Sequence, residues 1–160
     1  PHNPFKDEKS LAPLSERYSL VNTACLDMNY KFKVSEIEFQ LPKPSYTSQT
    51  LRWLVSNDNK ADLGEREYFI IMGMDCLAQI DKWKDYEYII DNFQILVYKR
   101  VGYNFDYSSL PFKFPVKEID APIIELSSTM IRERIKNKQS LKYLVPDCLL
   151  SSIKNLEYFQ

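Results

Sequence analysis

The sequence predicts an α/β domain with a mostly parallel sheet, on two observations. Three short apolar runs, Tyr68-Phe69-Ile70-Ile71-Met72, Phe93-Gln94-Ile95-Leu96-Val97-Tyr98 and Ile123-Ile124-Glu125-Leu126, lack the alternation of a half-exposed strand. Segments with helical spacing lie between and around them, the pattern of strands joined by helical crossovers. At 160 residues the chain fits one domain, residues 1–160, with a core of its own.

Taken in order, residues 15–29 carry apolar or aromatic side chains at Tyr18, Val21, Cys25 and Met28, which is helical spacing. Phe32, Val34, Ile37 and Phe39 roughly alternate and predict a short extended piece. Leu41-Pro42-Lys43-Pro44 is a loop, because each proline biases its predecessor away from helix. Ser45-Tyr46-Thr47-Ser48 leads into a helix through Leu51, Leu54 and Val55, and residues 56–64 read as a polar surface connection. The run 68–72 is a strand buried on both faces, 75–92 one or two short helices, and 93–98 a second buried strand that leaves through Lys99-Arg100. Residues 101–121 read as an irregular insertion and 123–126 as the third strand. Helices follow over 128–137 and 147–156, the latter with Leu149, Leu150, Ile153 and Leu156 on one face.

Composition narrows the function classes. A formal net charge of −1 gives no reason to expect a nucleic acid partner. No apolar run approaches the roughly 20 residues of a membrane span and no signal peptide is visible, so no membrane partner and a cytoplasmic location are expected. Cys25, Cys76 and Cys148 are too few and too widely spaced for a disulfide framework or a zinc site and read as reduced thiols. His2 is the only histidine, and it stands in no arrangement with a nucleophile.

In a parallel sheet ligands bind beyond the carboxyl ends of the strands, which singles out Gly73–Asp75, Arg100–Gly102 and Ser127–Arg132. Ser127, Ser128 and Thr129 at a strand-to-helix junction place hydroxyls and backbone N–H groups around one point, where the helix dipole favours an anion. Arg132 opposes that dipole unless a phosphate binds both; the bland alternative is a serine cap and a solvated arginine. Arg132, Arg134, Lys136, Lys138 and Lys142 crowd together here, as a solvated face or around a small anion. Gly73 and Asp75 would let a ligand approach the backbone beside a carboxylate suited to ribose hydroxyls, or else form a glycine turn in which Asp75 caps a helix. Trp83 sits among charges in Asp81-Lys82-Trp83-Lys84-Asp85-Tyr86, as a stacking platform or a core ring. Ser45-Tyr46-Thr47 supplies ligand hydroxyls or ordinary turn chemistry.

In chain order these pieces resemble the bacterial nicotinate-nucleotide adenylyltransferases of the nucleotidyltransferase superfamily. The matching stretches are Pro1-His2-Asn3-Pro4-Phe5-Lys6, the helix carrying Arg17, Ser45-Tyr46-Thr47-Ser48-Gln49-Thr50-Leu51 and Phe69-Ile70-Ile71-Met72-Gly73-Met74-Asp75-Cys76-Leu77. Trp83, Arg100-Val101-Gly102-Tyr103, Ser127-Ser128-Thr129-Met130-Ile131-Arg132, Leu144-Val145-Pro146-Asp147 and Leu156-Glu157-Tyr158 follow in family order. The resemblance implies a Rossmann-like nucleotidyltransferase domain that transfers the adenylyl group of ATP to nicotinate mononucleotide, giving nicotinate adenine dinucleotide and pyrophosphate. It implies Mg2+ carried by the nucleotide, no metal site of the protein's own, and leaves a homo-oligomer open.

By the same resemblance, Thr47, Trp83 and Lys84 belong to the nicotinate pocket, Trp83 by stacking and Lys84 by its backbone N–H. Gly73 and Asp75 belong to the adenosine side, and Lys6, Ser127, Ser128, Thr129 and Arg132 surround the ATP phosphates. Two departures stand out. Lys84 occupies a position where relatives often have an aromatic residue, and the family's histidine motif G-x-F-x-P-x-H-x-G-H is absent. The chain is therefore expected to be an N-terminally truncated copy, lacking the first strand and helix, with an uncovered sheet edge and no turnover of its own. The competing readings are an adenylyltransferase for nicotinamide mononucleotide or phosphopantetheine, and a non-catalytic nucleotide-binding module.

Overall fold

A computed structural model describes residues 12–28, 32–60, 66–102, 106–107 and 116–154. They form two compact units, one spanning residues 45–125 and the other residues 1–44 with 126–160.

The first unit holds a three-stranded parallel sheet in the order β1 (Phe69–Gly73), β2 (Gln94–Tyr98), β3 (Val116–Glu118). In register, Ile70 lies opposite Ile95 and Met72 opposite Val97, and Ile95 lies opposite Val116. Side chains alternate across a strand, so these apolar residues share one face. Against that face pack Leu51, Leu54 and Val55 from α3 (Thr47–Lys60), Met74 and Leu77 from α4 (Met74–Leu77), and Ile89 from α5 (Tyr86–Asn92), with Ile80 and Phe93 between them. Leu77, Ile89, Ile95 and Val97 are wholly buried. The α/β class and the parallel sheet are as expected from sequence.

The details differ in four places. The third strand is Val116–Glu118, inside the stretch read as an irregular insertion, and not 123–126. An edge strand that ends in Lys117-Glu118 gives no apolar run, which is how natural edges avoid adventitious pairing. Ile123 and Ile124 instead lie half or more exposed, and this segment is held by one side chain. The Tyr98 hydroxyl donates to the Pro122 carbonyl and accepts from the Ile124 N–H at 2.9 Å. Second, β1 is not buried on both faces: Phe69 is 45% and Ile71 69% exposed, on the face away from the core. Third, α3 runs on to Lys60 through the polar residues expected to be loop. Asp58 on its last turn pairs with Arg66 at 3.3 Å and accepts from the Tyr68 hydroxyl, fastening the helix end to the approach to β1. Fourth, residues 32–36 carry no element and Ile37–Gln40 is a single helical turn, α2, where an extended piece was expected.

The second unit is helical. α1 (Leu14–Asp27) turns Leu20 and Ala24 toward a core of Leu141, Leu149 and Ile153, joined by Ile131 and Ile135 from α6 (Ser128–Lys136) and by Leu150 from α7 (Leu150–Lys154). The spacing of Tyr18, Val21, Cys25 and Met28 marks the helix, but its core side lies one position away: Val21 and Met28 are exposed, and Tyr18 binds Glu36 and packs edge-on against Phe39. Leu20 and Ala24 are four apart, as are Ile131 and Ile135, so each pair makes a one-sided stripe. A short 3-10 turn at Asp147–Leu149 precedes α7, and Leu156 lies outside the described residues.

The strand assignment is tested by two truncations. Ile95→Ala removes a side chain with no exposure from the central strand and should cost about 2–5 kcal/mol. Ile123→Ala, half exposed, should stay within about 0.5 kcal/mol. Equilibrium urea unfolding of both variants measures the difference.

Candidate functional site

Three groups of residues carry polar chemistry, two in the sheet unit and one in the helical unit. The first gathers where β1 and β2 end. Gly73 has φ −74°, so its backbone needs no glycine; space is the reason. A Cβ placed there would come within 2.5 Å of Asp75 Oδ1. Asp75 sits in the first turn of α4 without capping it, and its Oδ2 accepts from Arg100 Nη1 at 2.7 Å. The carboxylate is thus laid over Gly73 and held by a guanidinium from the next strand. The capping alternative does not apply. Sequence reasoning placed Arg100 at a strand exit but gave it no partner, because the contact depends on strand register.

Beside this, Lys99 Nζ lies 2.6 Å from Glu118 Oε2, and the Tyr107 hydroxyl donates to Glu118 Oε1 at 2.7 Å and contacts Met74 Sδ at 3.7 Å. Burial and the Glu118 carboxylate push Tyr107 up to about 12. Hydrogen bonds from Lys99 and Tyr107 hold Glu118 below the usual carboxylate range.

The second group joins the start of α3 to the turn before α5. Ser48, fully buried, donates from its hydroxyl to Asp85 Oδ2 at 3.4 Å, and Lys84 Nζ lies 4.5 Å from the centre of the Tyr46 ring. Asp85 holds φ 52°, a left-handed conformation that aspartate tolerates better than most side chains. These contacts bring the Tyr46-Thr47-Ser48 stretch together with the Trp83-Lys84-Asp85 stretch. Trp83 is half-buried and packs against the core of this unit. Ser45 Oγ and Gln49 Oε1 on the same stretch are buried and find no hydrogen-bond partner among the described residues. Buried polar atoms normally have one, so this stretch has capacity to offer a bound molecule. The pairing of Ser48 with Asp85 left no sequence signal, since it joins residues 37 apart in the chain.

The third group is the start of α6. Ser127 is extended, with φ −130°, and its hydroxyl accepts from the Met130 N–H at 3.1 Å, a serine N-cap. Ile131 and Ile135 face the core, which turns Ser128, Thr129 and Arg132 outward, and Arg132 Nη2 donates to Thr129 Oγ1 at 3.1 Å. No acidic residue occupies this first turn. Of the basic cluster, Arg134 is structural: Nε and Nη2 both donate to the Ser140 carbonyl, at 3.0 and 2.8 Å. Lys142 lies over the Tyr143 ring. Lys6, His2 and Tyr103 are outside the described residues.

The Tyr107 cluster makes a pH prediction. Its raised value means the protonated phenol is favoured by folding, so its contribution is complete below pH about 10 and is lost as pH rises toward about 12. Absorbance titration near 295 nm should resolve a tyrosine ionising near 12. Glu118→Gln removes the causes that follow burial and should move that ionisation down toward the ordinary range.

A cytidylyltransferase-like family model matches residues 1–134. The whole chain is 39% identical to 80% of the length of the "Probable nicotinate-nucleotide adenylyltransferase" of Flavobacterium psychrophilum. It is 41% identical to the protein of the same name from Bacteroides fragilis over 91% of this chain and 68% of that one. Against the Flavobacterium johnsoniae protein, again of that name, the identity is 37% over the whole chain and 80% of the relative. The S-Y-T stretch meets Lys84 and Asp85, the residues that follow Trp83, the strand ends bring Asp75 to Arg100, and the relatives match most or all of the chain. It belongs to the cytidylyltransferase-like family and, within it, to the nicotinate-nucleotide adenylyltransferases.

Proposed function

We propose that this protein transfers the adenylyl group of ATP to nicotinate mononucleotide in NAD biosynthesis. A phosphate oxygen of the mononucleotide bonds to the α-phosphorus, the bond to the β-phosphate breaks, and pyrophosphate leaves. The observation that carries this reading is the meeting of Tyr46-Thr47-Ser48 with Trp83-Lys84-Asp85 through the Ser48–Asp85 and Lys84–Tyr46 contacts. That arrangement combines a half-buried indole, adjacent hydroxyls and a backbone N–H at Lys84, which suits a flat ring bearing a carboxylate. It favours a pyridine nucleotide over phosphopantetheine, whose flexible chain offers no ring to stack.

Gly73 and Asp75 would receive the adenosine ribose, with Oδ1 and Oδ2 as acceptors for its hydroxyls. The start of α6 would receive ATP phosphates on Ser128, Thr129, Arg132 and the backbone N–H groups, while Ser127 holds the turn as the cap. Lys6 is assigned to the phosphates by family resemblance alone. Magnesium would enter on the nucleotide. Among the described residues no three Asp, Glu, His or Cys side chains gather as a cage for it. The family's histidine pair is not in these 160 residues, so the roles assigned are binding and orientation. A cytoplasmic location fits the three free thiols, and no helix among the described residues is long and apolar enough to cross a membrane.

Two measurements test these assignments, one in each unit. Arg132→Ala in the complete protein should weaken ATP binding by about 1.5 kcal/mol or more, as for a charged hydrogen bond. Calorimetry showing unchanged ATP affinity removes Arg132 from the phosphate site. Nicotinate mononucleotide should quench tryptophan fluorescence through stacking, and Trp83→Ala should abolish the response while Trp53 still emits. A quench of the same size in that variant would place the ring elsewhere.

A further inference from the structure

We infer that the side-chain ammonium of Lys84, held on the Tyr46 ring, is a specificity determinant that selects a carboxylate over a carboxamide on the pyridine. The inference rests on the pocket reading above and goes past the backbone N–H assigned to Lys84 there.

Among the described residues of this unit, three cations are held by carboxylates. Arg66 pairs with Asp58, Lys99 with Glu118 and Arg100 with Asp75, each within 3.3 Å. Among the described residues no carboxylate pairs with Lys84. Its two acidic neighbours in sequence are Asp81 and Asp85, and Asp85 accepts the buried Ser48 hydroxyl at 3.4 Å. Lys84 Nζ rests instead on an aromatic face, 4.5 Å from the Tyr46 ring centre. A ring fixes the position of an ammonium through its quadrupole without cancelling its charge. The charge therefore stays available to an anion.

Its position follows from the chain. Tyr46 immediately precedes Thr47, and Trp83 immediately precedes Lys84, so the ammonium bridges the two stretches that form the pocket. Lys84 is exposed while Trp83 is half-buried, so on that reading the charge would stand at the mouth and the ring platform deeper. A pyridine stacked on Trp83 with its substituent outward would bring that substituent toward Nζ. A carboxylate there gains a charge-assisted contact; a carboxamide, neutral and carrying its own N–H donors, gains none.

Nicotinate mononucleotide and nicotinamide mononucleotide share their ribose and phosphate and differ only in this group, so their ratio isolates it. By calorimetry on the complete protein, Lys84→Met should weaken nicotinate mononucleotide about tenfold, as for one charged hydrogen bond, and leave nicotinamide mononucleotide within about twofold. Lys84→Arg should restore most of the ratio. Equal loss of both ligands would mean that Lys84 serves their phosphate or the local structure, and no loss of either would mean that it faces solvent; both overturn the inference. Trp83→Ala tests the pocket reading separately: loss of both mononucleotides supports it, and unchanged affinity for both overturns it. Unfolding temperatures of the Lys84 variants, expected to match that of the parent protein, exclude misfolding as the cause.

Discussion

The register of the parallel sheet is the constraint from which the polar site follows. Gly73 lies opposite Tyr98, so β1 and β2 stop at the same level and leave on the same edge. Two residues beyond each end stand Asp75 and Arg100, and they meet at 2.7 Å. Glu118 lies opposite Val97 on β3, so it arrives one step below that level and takes Lys99. Shifting β1 by one residue would separate Asp75 from Arg100 and turn Ile70 and Met72 away from Ile95 and Val97. The apolar face and the ion pairs therefore specify the same pairing.

This coupling explains what was legible in the sequence. Strands β1 and β2 announce themselves as apolar runs because their shared face is the floor of the core. The cap at Ser127 is legible because capping is local chemistry, decided within four residues. Strand β3 was missed because two of its three residues are charged, while 123–126 misled because Ile123 and Ile124 look like core residues and are half or more exposed. The offset face of α1 has a similar origin. Tyr18, Val21 and Cys25 fit a helical period as well as Leu20 and Ala24 do, and only the partner core decides between them. Of the site, the motifs were visible and the contacts were not. Asp75 with Arg100 and Ser48 with Asp85 are separated by 25 and 37 residues.

Gly73 shows how a motif glycine is explained by geometry. A glycine after a strand suggests an unusual backbone angle, yet its φ of −74° is open to any residue. What excludes a side chain is the Asp75 carboxylate, which occupies the place of a Cβ and is itself restrained by Arg100. The glycine and the aspartate are thus one device. The small residue lets the carboxylate fold back over the strand end, where the guanidinium fixes it with Oδ1 turned to the backbone.

Stability and the proposed binding groups lie in different parts of the sheet unit. Apart from Ser48, the described residues with no exposure are apolar, and truncating one of the apolar ones costs several kcal/mol by loss of burial and the cavity left behind. The Arg100–Asp75 pair is 42% and 30% exposed, and pairs in such settings contribute about 0–1 kcal/mol. Lys84 rests on Tyr46 by an interaction of comparable size. Both cations can therefore exchange their present partners for those of a ligand while the core stays intact. Weak, half-exposed contacts over a tightly packed layer would let the proposed site reorganise around a nucleotide at little free-energy cost, because nothing that holds the sheet together would have to move.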